Sequence, residues 1–348
     1  MDFPSNTVKW VVIGAGGIAR RRMIPEGILP SRNATLTALY SPRHGDEVGR
    51  QFGVQSCRTE QELLDQPCDA VYLASPVHLH HDQVIRAARA GKHVLCEKPL
   101  GLNPDEAGRM VRACDAAGVK LGVGFLMRFH AYHREALRLV QQGEIGRLVF
   151  GRAQLSCWYP PLEGAWRQDP KLGGGGSLMD MACHTIDLLE TFFGRVCRVA
   201  CMSARRIHDY PVEDTGTATL EFESGSLGMI DSLFNVPDRC SKNRLELYGE
   251  HGSILAEGTI GQDSGGEMLL CRGERIGLSG ADEDWGSPGQ PKRIAPGPVN
   301  IYRAQIEAFS QAVLDDTPPP INGAHGLWNQ RVMAACYESA LSGRTVTL

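Results

Sequence analysis

The sequence predicts an α/β chain in two domains: a parallel sheet wound with helices over residues 1–126, then a largely antiparallel sheet over 127–348. Three observations predict it. Apolar strand-like runs alternate with helical patterns through the first third. After Phe125 the rhythm changes to a succession of alternating segments divided by turn clusters. The length of 348 residues exceeds what one ordinary core organises.

In order, residues 8–13, 34–40, 68–74 and 93–97 read as strands of parallel βαβ units. A helical stretch over 81–90 stops at Gly91. Residues 148–155, 199–204, 217–223, 226–233 and 243–248 alternate apolar with polar, separated by turns such as Glu223-Ser224-Gly225. Residues 262–300, rich in Gly, Pro and Ser, read as long loops, and two helices over 302–314 and 327–341 close the chain.

Composition narrows the function classes. A net charge of -4 gives no basic footprint for nucleic acid, and 42% hydrophobic with 22% charged residues is ordinary for a globular protein. The opening MDFPSNTVKW lacks the sections of a secretory signal and no run of 18 apolar residues occurs, so no membrane association is expected and the chain is expected in the cytoplasm. Eleven scattered cysteines without a C-x-x-C pair indicate neither a disulfide framework nor a metal site.

Residues 11–20, VVIGAGGIAR, place Gly14, Gly16 and Ala19 at G-x-G-x-x-A spacing between a strand and a helix. Gly14 would make the tight turn, Gly16 would let backbone approach a pyrophosphate, and Ala19 would allow close helix packing, with the helix N-terminus supplying positive field. A plain glycine-rich turn is the other reading. The end of the second strand, Leu39-Tyr40-Ser41-Pro42-Arg43-His44, has no carboxylate before Asp46 to accept from a ribose hydroxyl. Ser41 and Arg43 suit a 2′-phosphate, so NADP is favoured over NAD, although Arg43 also fits a solvated surface charge.

Two further stretches carry chemistry. In GKHVLCEKPL, residues 91–100, the proline pushes Lys98 into extended geometry at the carboxyl end of the sheet, where open α/β folds bind ligands. Most strand-end lysines are simply solvated. In GGGGSLMDMACHTID, residues 173–187, a helix beginning near Ser177 puts Asp180, His184 and Asp187 on one face of an otherwise apolar helix. Charges there need partners or a site. Alternatively, Ser177-x-x-Asp180 is a capping box and His184 a bonded core histidine.

Gly14-Ala15-Gly16-Gly17-Ile18-Ala19, Glu97-Lys98-Pro99 and the series Trp166-Arg167, Gly174-Gly175-Gly176, Asp180-x-x-x-His184 together resemble the Gfo/Idh/MocA oxidoreductases. Ser75-Pro76 with His80, Glu213-Asp214-Thr215 and the closing Ser339-Ala340-Leu341-Ser342-Gly343-Arg344 extend the resemblance along nearly the whole chain. It implies a Rossmann domain binding NAD(P), followed by an α+β domain with a large open, mostly antiparallel sheet that mediates contacts in a homodimer or homotetramer. It marks Lys98, Asp180 and His184 as catalytic, with a cis bond before Pro99. Gly14, Gly16, Gly17 and Ile18, with Ser41, Arg43, Ser75, Pro76, His80, Glu97 and Lys98, are the implied cofactor contacts. Ala182 stands where relatives often have Gly, and the second strand lacks their common acid.

The implied substrates are sugars, sugar derivatives, cyclitols and related polyols. Arg128, His130, Tyr159, Trp166 and Arg167 join Asp180 and His184 as candidate substrate contacts, since they offer hydroxyl-binding groups and aromatic faces. Oxidising a secondary alcohol leaves a proton for a histidine to carry, an aspartate to orient that histidine, and an ammonium to stabilise alkoxide character. Lys98 and His184 are expected to act on the same substrate oxygen. Two other readings are a redox-neutral glycoside-cleaving enzyme with retained NAD(P), and a non-catalytic dinucleotide-binding regulator.

Overall fold

Trp10, Val11, Val12 and Ile13 are fully buried, as a strand covered on both faces requires, and they form the centre of a parallel sheet. The computed structural model describes residues 7–273 and 290–348, which divide into two compact units. The first comprises the chain up to Leu126 together with Glu163–Gly175 and Asn300–Ala334. Its strands are β1 (Val8–Ile13), β2 (Ala34–Tyr40), β3 (Gln55–Ser56), β4 (Ala70–Leu73), β5 (His93–Cys96) and β6 (Leu121–Val123). They run parallel in the order β3-β2-β1-β4-β5-β6. Around them wind α1 (Ala19–Ile28), α2 (Gly45–Phe52), α3 (Glu60–Leu64), α4 (Val77–Arg89) and α5 (Pro104–Ala116). Pro25 inside α1 has no N–H to donate, and the Leu29 N–H reaches back five residues to the Ile24 carbonyl at 3.1 Å.

The second unit comprises Met127–Leu162, Gly176–Val299 and Ala335–Leu348. Its strands are β7 (Leu148–Ser156), β8 (Val196–Ala204), β9 (Thr215–Phe222), β10 (Leu227–Leu233), β11 (Leu245–Gly249), β12 (Gly252–Glu257), β13 (Glu267–Arg272), β14 (Lys292–Ile294) and β15 (Val346–Thr347). Their order is β14-β13-β12-β11-β7-β10-β9-β8-β15, antiparallel throughout except for the central β7–β10 pair. Helix α6 (Ala131–Gln141) precedes this sheet; α7 (Leu178–Ala182) runs directly into α8 (Cys183–Phe193), which packs on β7. The approach is close: a Cβ on Gly151 would stand 2.4 Å from the Phe193 ring. The opposite face sets Phe150, Arg152, Leu227 and Met229 side by side, with Leu227 exposed.

Two segments depart from the sequence reading. β13 and β14 lie inside the region read as loops, while residues 274–289 of that region lie outside the described residues. Met268 and Leu270 are buried while Leu269 is exposed, an alternation too short to stand out among flanking glycines. The division at residue 126 also left 163–175 and 300–334 with the second domain, whereas both pack with the first unit. The reason is apolar burial: Phe309 of α9 (Ile301–Leu314) lies 5.3 Å from the Trp10 ring, and Ser310 accepts from the indole N–H at 3.0 Å. The chain closes with α10 (Gly323–Ser342). No helix among the described residues is long and apolar enough to cross a membrane.

Candidate active site

In the first unit the glycine loop is a tight cradle at the carboxyl ends of β1 and β4. Gly14 has φ +86°, donates to the Tyr40 carbonyl at 2.9 Å, and would put a Cβ 2.5 Å from the Ser75 nitrogen. Gly17 has φ +46°, and its missing side chain leaves open space. A Cβ on Gly16 would stand 3.2 Å from the His44 ring, so the loop that carries Ser41 and the exposed Arg43 lies beside the glycines. Backbone left uncovered next to a helix N-terminus fits a dinucleotide pyrophosphate. Gly14, Gly16, Gly17 and Ile18 would hold it there.

His80 clamps the neighbouring loops. Its Nε2 faces the Ser75 carbonyl at 2.9 Å, and its Nδ1 faces the Pro99 and Leu100 carbonyls at 3.1 and 3.3 Å. Burial drives its pKa down to about 4 against the pull of those carbonyls, so the ring is neutral at pH 7 and one nitrogen donates. Ser75 in turn is hydrogen-bonded to Gln83. This geometry gives Ser75 and His80 the task of fixing the backbone around Pro76 and Pro99.

Lys98 follows β5 and precedes a cis peptide to Pro99. Beside it Glu97 is turned inward and buried, accepting from the Tyr72 hydroxyl at 2.6 Å and the Lys98 N–H at 3.3 Å. A Cβ on Gly124 would stand 3.0 Å from this carboxylate, so glycine makes room for it. Burial raises the Glu97 pKa, while Tyr72, Lys98 and Arg167 oppose the rise. The Arg167 guanidinium lies 4.1 Å over the Trp166 ring. The first unit therefore gathers Lys98, Glu97, Trp166 and Arg167.

In the second unit Asp180 lies on α7, and His184, largely buried, on α8. The capping box is not formed: the Ser177 side chain makes no cap bond and its buried hydroxyl has no partner among the described residues, because Glu213 supplies acceptors instead. Asp187, one turn beyond His184, is buried and paired bidentately with Arg128 at 2.8 and 2.6 Å. Burial raises the Asp187 pKa and Arg128 pulls it back. Arg128 thus commits Nε and Nη2 to Asp187. His130 is fully buried and lies 4.8 Å from the His133 ring, a packing position. The Tyr159 ring lies tilted 5.0 Å from Phe234, and both Tyr159 and Met181 of α7 pack against the apolar cluster of Tyr210, Val212 and Phe234.

Sequence reasoning assigned no role to Tyr72, Glu213, Asp214 or Tyr337. Asp214 accepts from three successive N–H groups, Arg206, Ile207 and His208, at 2.8–2.9 Å. Burial alone would raise its pKa; those donors outweigh it and hold the carboxyl below its ordinary value. The available signal was the Glu213-Asp214-Thr215 string, since adjacent acids before an apolar strand must be satisfied locally.

A parallel sheet in the order 3-2-1-4-5-6, with a glycine cradle at its carboxyl edge, defines a dinucleotide-binding protein of the Rossmann class. Residues 8–125 match the oxidoreductase family with an NAD-binding Rossmann fold, and residues 133–255 match the GFO/IDH/MocA C-terminal domain. The chain belongs to the Gfo/Idh/MocA oxidoreductase family. It is 28% identical over 346 residues to 1,5-anhydro-D-fructose reductase of Ensifer adhaerens, covering 98% of each chain. It is 29% identical over 339 residues to D-xylose 1-dehydrogenase (NADP(+)) 2 of Haloferax volcanii, covering 97% of this chain and 98% of the relative. The crystal structure of aldose-aldose oxidoreductase from Caulobacter crescentus superposes with a TM-score of 0.85 at 29% identity, covering 98% of this chain and 100% of that one.

Proposed function

We propose that this protein is an NAD(P)-dependent oxidoreductase that interconverts a secondary hydroxyl and ketone on a sugar, sugar derivative or cyclitol. The observation that carries this reading is the intact set of Lys98 at the carboxyl end of β5 and Asp180 with His184 on α7 and α8. When bound, the nicotinamide supplies the redox step. Lys98 presents an ammonium to the reacting oxygen and favours its alkoxide character. His184 carries the proton, and Asp180, four residues earlier, orients the imidazole. Arg167 and Trp166, with Tyr159, hold substrate hydroxyls and ring faces.

NADP is preferred to NAD because Ser41 and the exposed Arg43 replace an acid at the end of β2. The protein works in the cytoplasm as a homo-oligomer joined through the uncovered sheet face, where Leu227 is 47% and Met202 77% exposed. Light scattering that returned the 37.9 kDa of one chain would reject that assembly.

The decisive experiment screens sugars, sugar phosphates and cyclitols by absorbance of the reduced nicotinamide. Turnover on one of them is expected, and His184→Ala should lower its kcat by about 10²–10⁴. A dinucleotide that stays bound while a glycoside is cleaved without net absorbance change would replace this reading with redox-neutral cleavage. Near-normal turnover in a folded His184→Ala variant would remove the histidine from the proton's path.

A further inference from the structure

The first four N–H groups of a helix have no partner within it, and a buried helix start must find acceptors elsewhere. Along Gly176, Ser177, Leu178 and Met179, where the helix bearing Asp180 and His184 begins, two distant residues supply all four. Glu213 Oε1 accepts from the Gly176 N–H at 2.9 Å and the Leu178 N–H at 3.0 Å, and the Glu213 carbonyl accepts from Ser177 at 3.0 Å. The Tyr337 hydroxyl donates to the same Oε1 at 2.8 Å and accepts from the Met179 N–H. Ser177, which the local pattern nominates as the cap, contributes nothing.

The approach is tight enough to dictate a residue. A Cβ on Gly176 would stand 2.0 Å from the Glu213 carbonyl oxygen, so backbone and carboxylate meet only because glycine is there. Both partners are half-buried. Burial raises the pKa of each, and the mutual hydrogen bond lowers that of Glu213 and raises that of Tyr337. A carboxylate among the first N–H groups of a helix also meets the positive end of its dipole.

We infer that Glu213 and Tyr337 are positioning residues for the reaction: they hold the start of the helix and thereby set where Asp180 and His184 sit. The distance from cap to histidine is two turns of one continuous helix, α7 into α8, so a change in the cap is transmitted as a shift of both side chains. Misplacing a reacting group by about 1 Å costs up to roughly 10²-fold in rate. This inference rests on His184 acting in the reaction.

The test compares Tyr337→Phe, Glu213→Gln and Glu213→Ala with His184→Ala on whichever substrate is turned over. Tyr337→Phe keeps the ring and removes one donor and one acceptor; it is expected to lower kcat roughly tenfold with dinucleotide affinity unchanged, since the glycine loop belongs to the other unit. Glu213→Gln retains an oxygen for Gly176 and Leu178 and should recover most of the kcat that Glu213→Ala loses. Should Glu213→Ala fail to fold, the other two variants decide. If Tyr337→Phe lowers the melting temperature but keeps wild-type kcat well below it, the pair is structural only and the inference fails. Loss of activity in His184→Ala alongside such normal kcat values overturns this inference alone; full activity in His184→Ala overturns the functional reading beneath it.

Discussion

The two units position their candidate catalytic side chains by opposite means. In the first, the groups lie at the ends of parallel strands, placed by near neighbours in sequence: Gly14 turns the chain beside its own strand, and Lys98 follows β5 directly. In the second, Asp180 and His184 ride a helix whose placement depends on Glu213, Tyr337 and Arg128, all remote in sequence. Strand ends converge wherever a parallel sheet forms, whereas a helix can rotate and slide until something ties it. The second arrangement should therefore be the more sensitive to losing one distant partner.

The largest expected effect breaks such a tie. Arg128→Ala leaves Asp187 buried without its guanidinium, and removing one member of a buried pair typically costs about 3–5 kcal/mol. Chemical denaturation should show a loss of that order, and a loss below about 1 kcal/mol would mean that Asp187 finds another partner or protonates cheaply.

An effect of about 3 kcal/mol is expected in the first unit from acid, because His80 is held neutral with its pKa lowered to about 4 by burial. The unfolded chain takes up a proton that the folded one refuses. Stability from this group is complete above about pH 6.5 and is lost as pH falls from there toward 4. Melting temperatures should decline over that window, and His80→Gln should flatten the decline even though it lowers stability at pH 7. An unchanged slope in the variant would assign the acid sensitivity elsewhere, with His133, whose pKa burial pushes to about 3, the next group to replace.

The smallest effect sharpens the contrast, because Arg43 is exposed and free of packing duties. Arg43→Ala should leave stability unchanged and weaken NADP binding by about 1 kcal/mol, roughly fivefold, with NAD unaffected. Equal weakening of both cofactors by calorimetric titration would detach Arg43 from the 2′-phosphate.

The legibility of the sequence follows the same division. Gly14, Gly16 and Ala19 were readable because steric rules act within a few residues, and Lys98 because a proline constrains its neighbour. The helix start at Ser177 was readable, its cap was not. Ser177-x-x-Asp180 matches the local pattern of a capping box, yet the acceptors come from Glu213, 35 to 37 residues away, and from Tyr337, farther still. β13 and β14 were missed because a short alternation among glycines looks like loop until the partner strand is present.

What the sequence by itself determined is the alternation that makes a parallel sheet, the change of rhythm that begins a second one, and the glycines that shape the nucleotide cradle. Each depends on interactions between residues close along the chain. Only the tertiary structure decided that Phe309 and Ser310 return to Trp10, that Arg128 neutralises Asp187, and that Glu213 and Tyr337 cap the helix carrying His184. Those choices settle which buried polar group meets which, across as many as 300 residues of sequence. No local pattern encodes such a pairing, because the cost of an unsatisfied group arises only once folding has removed the water around it.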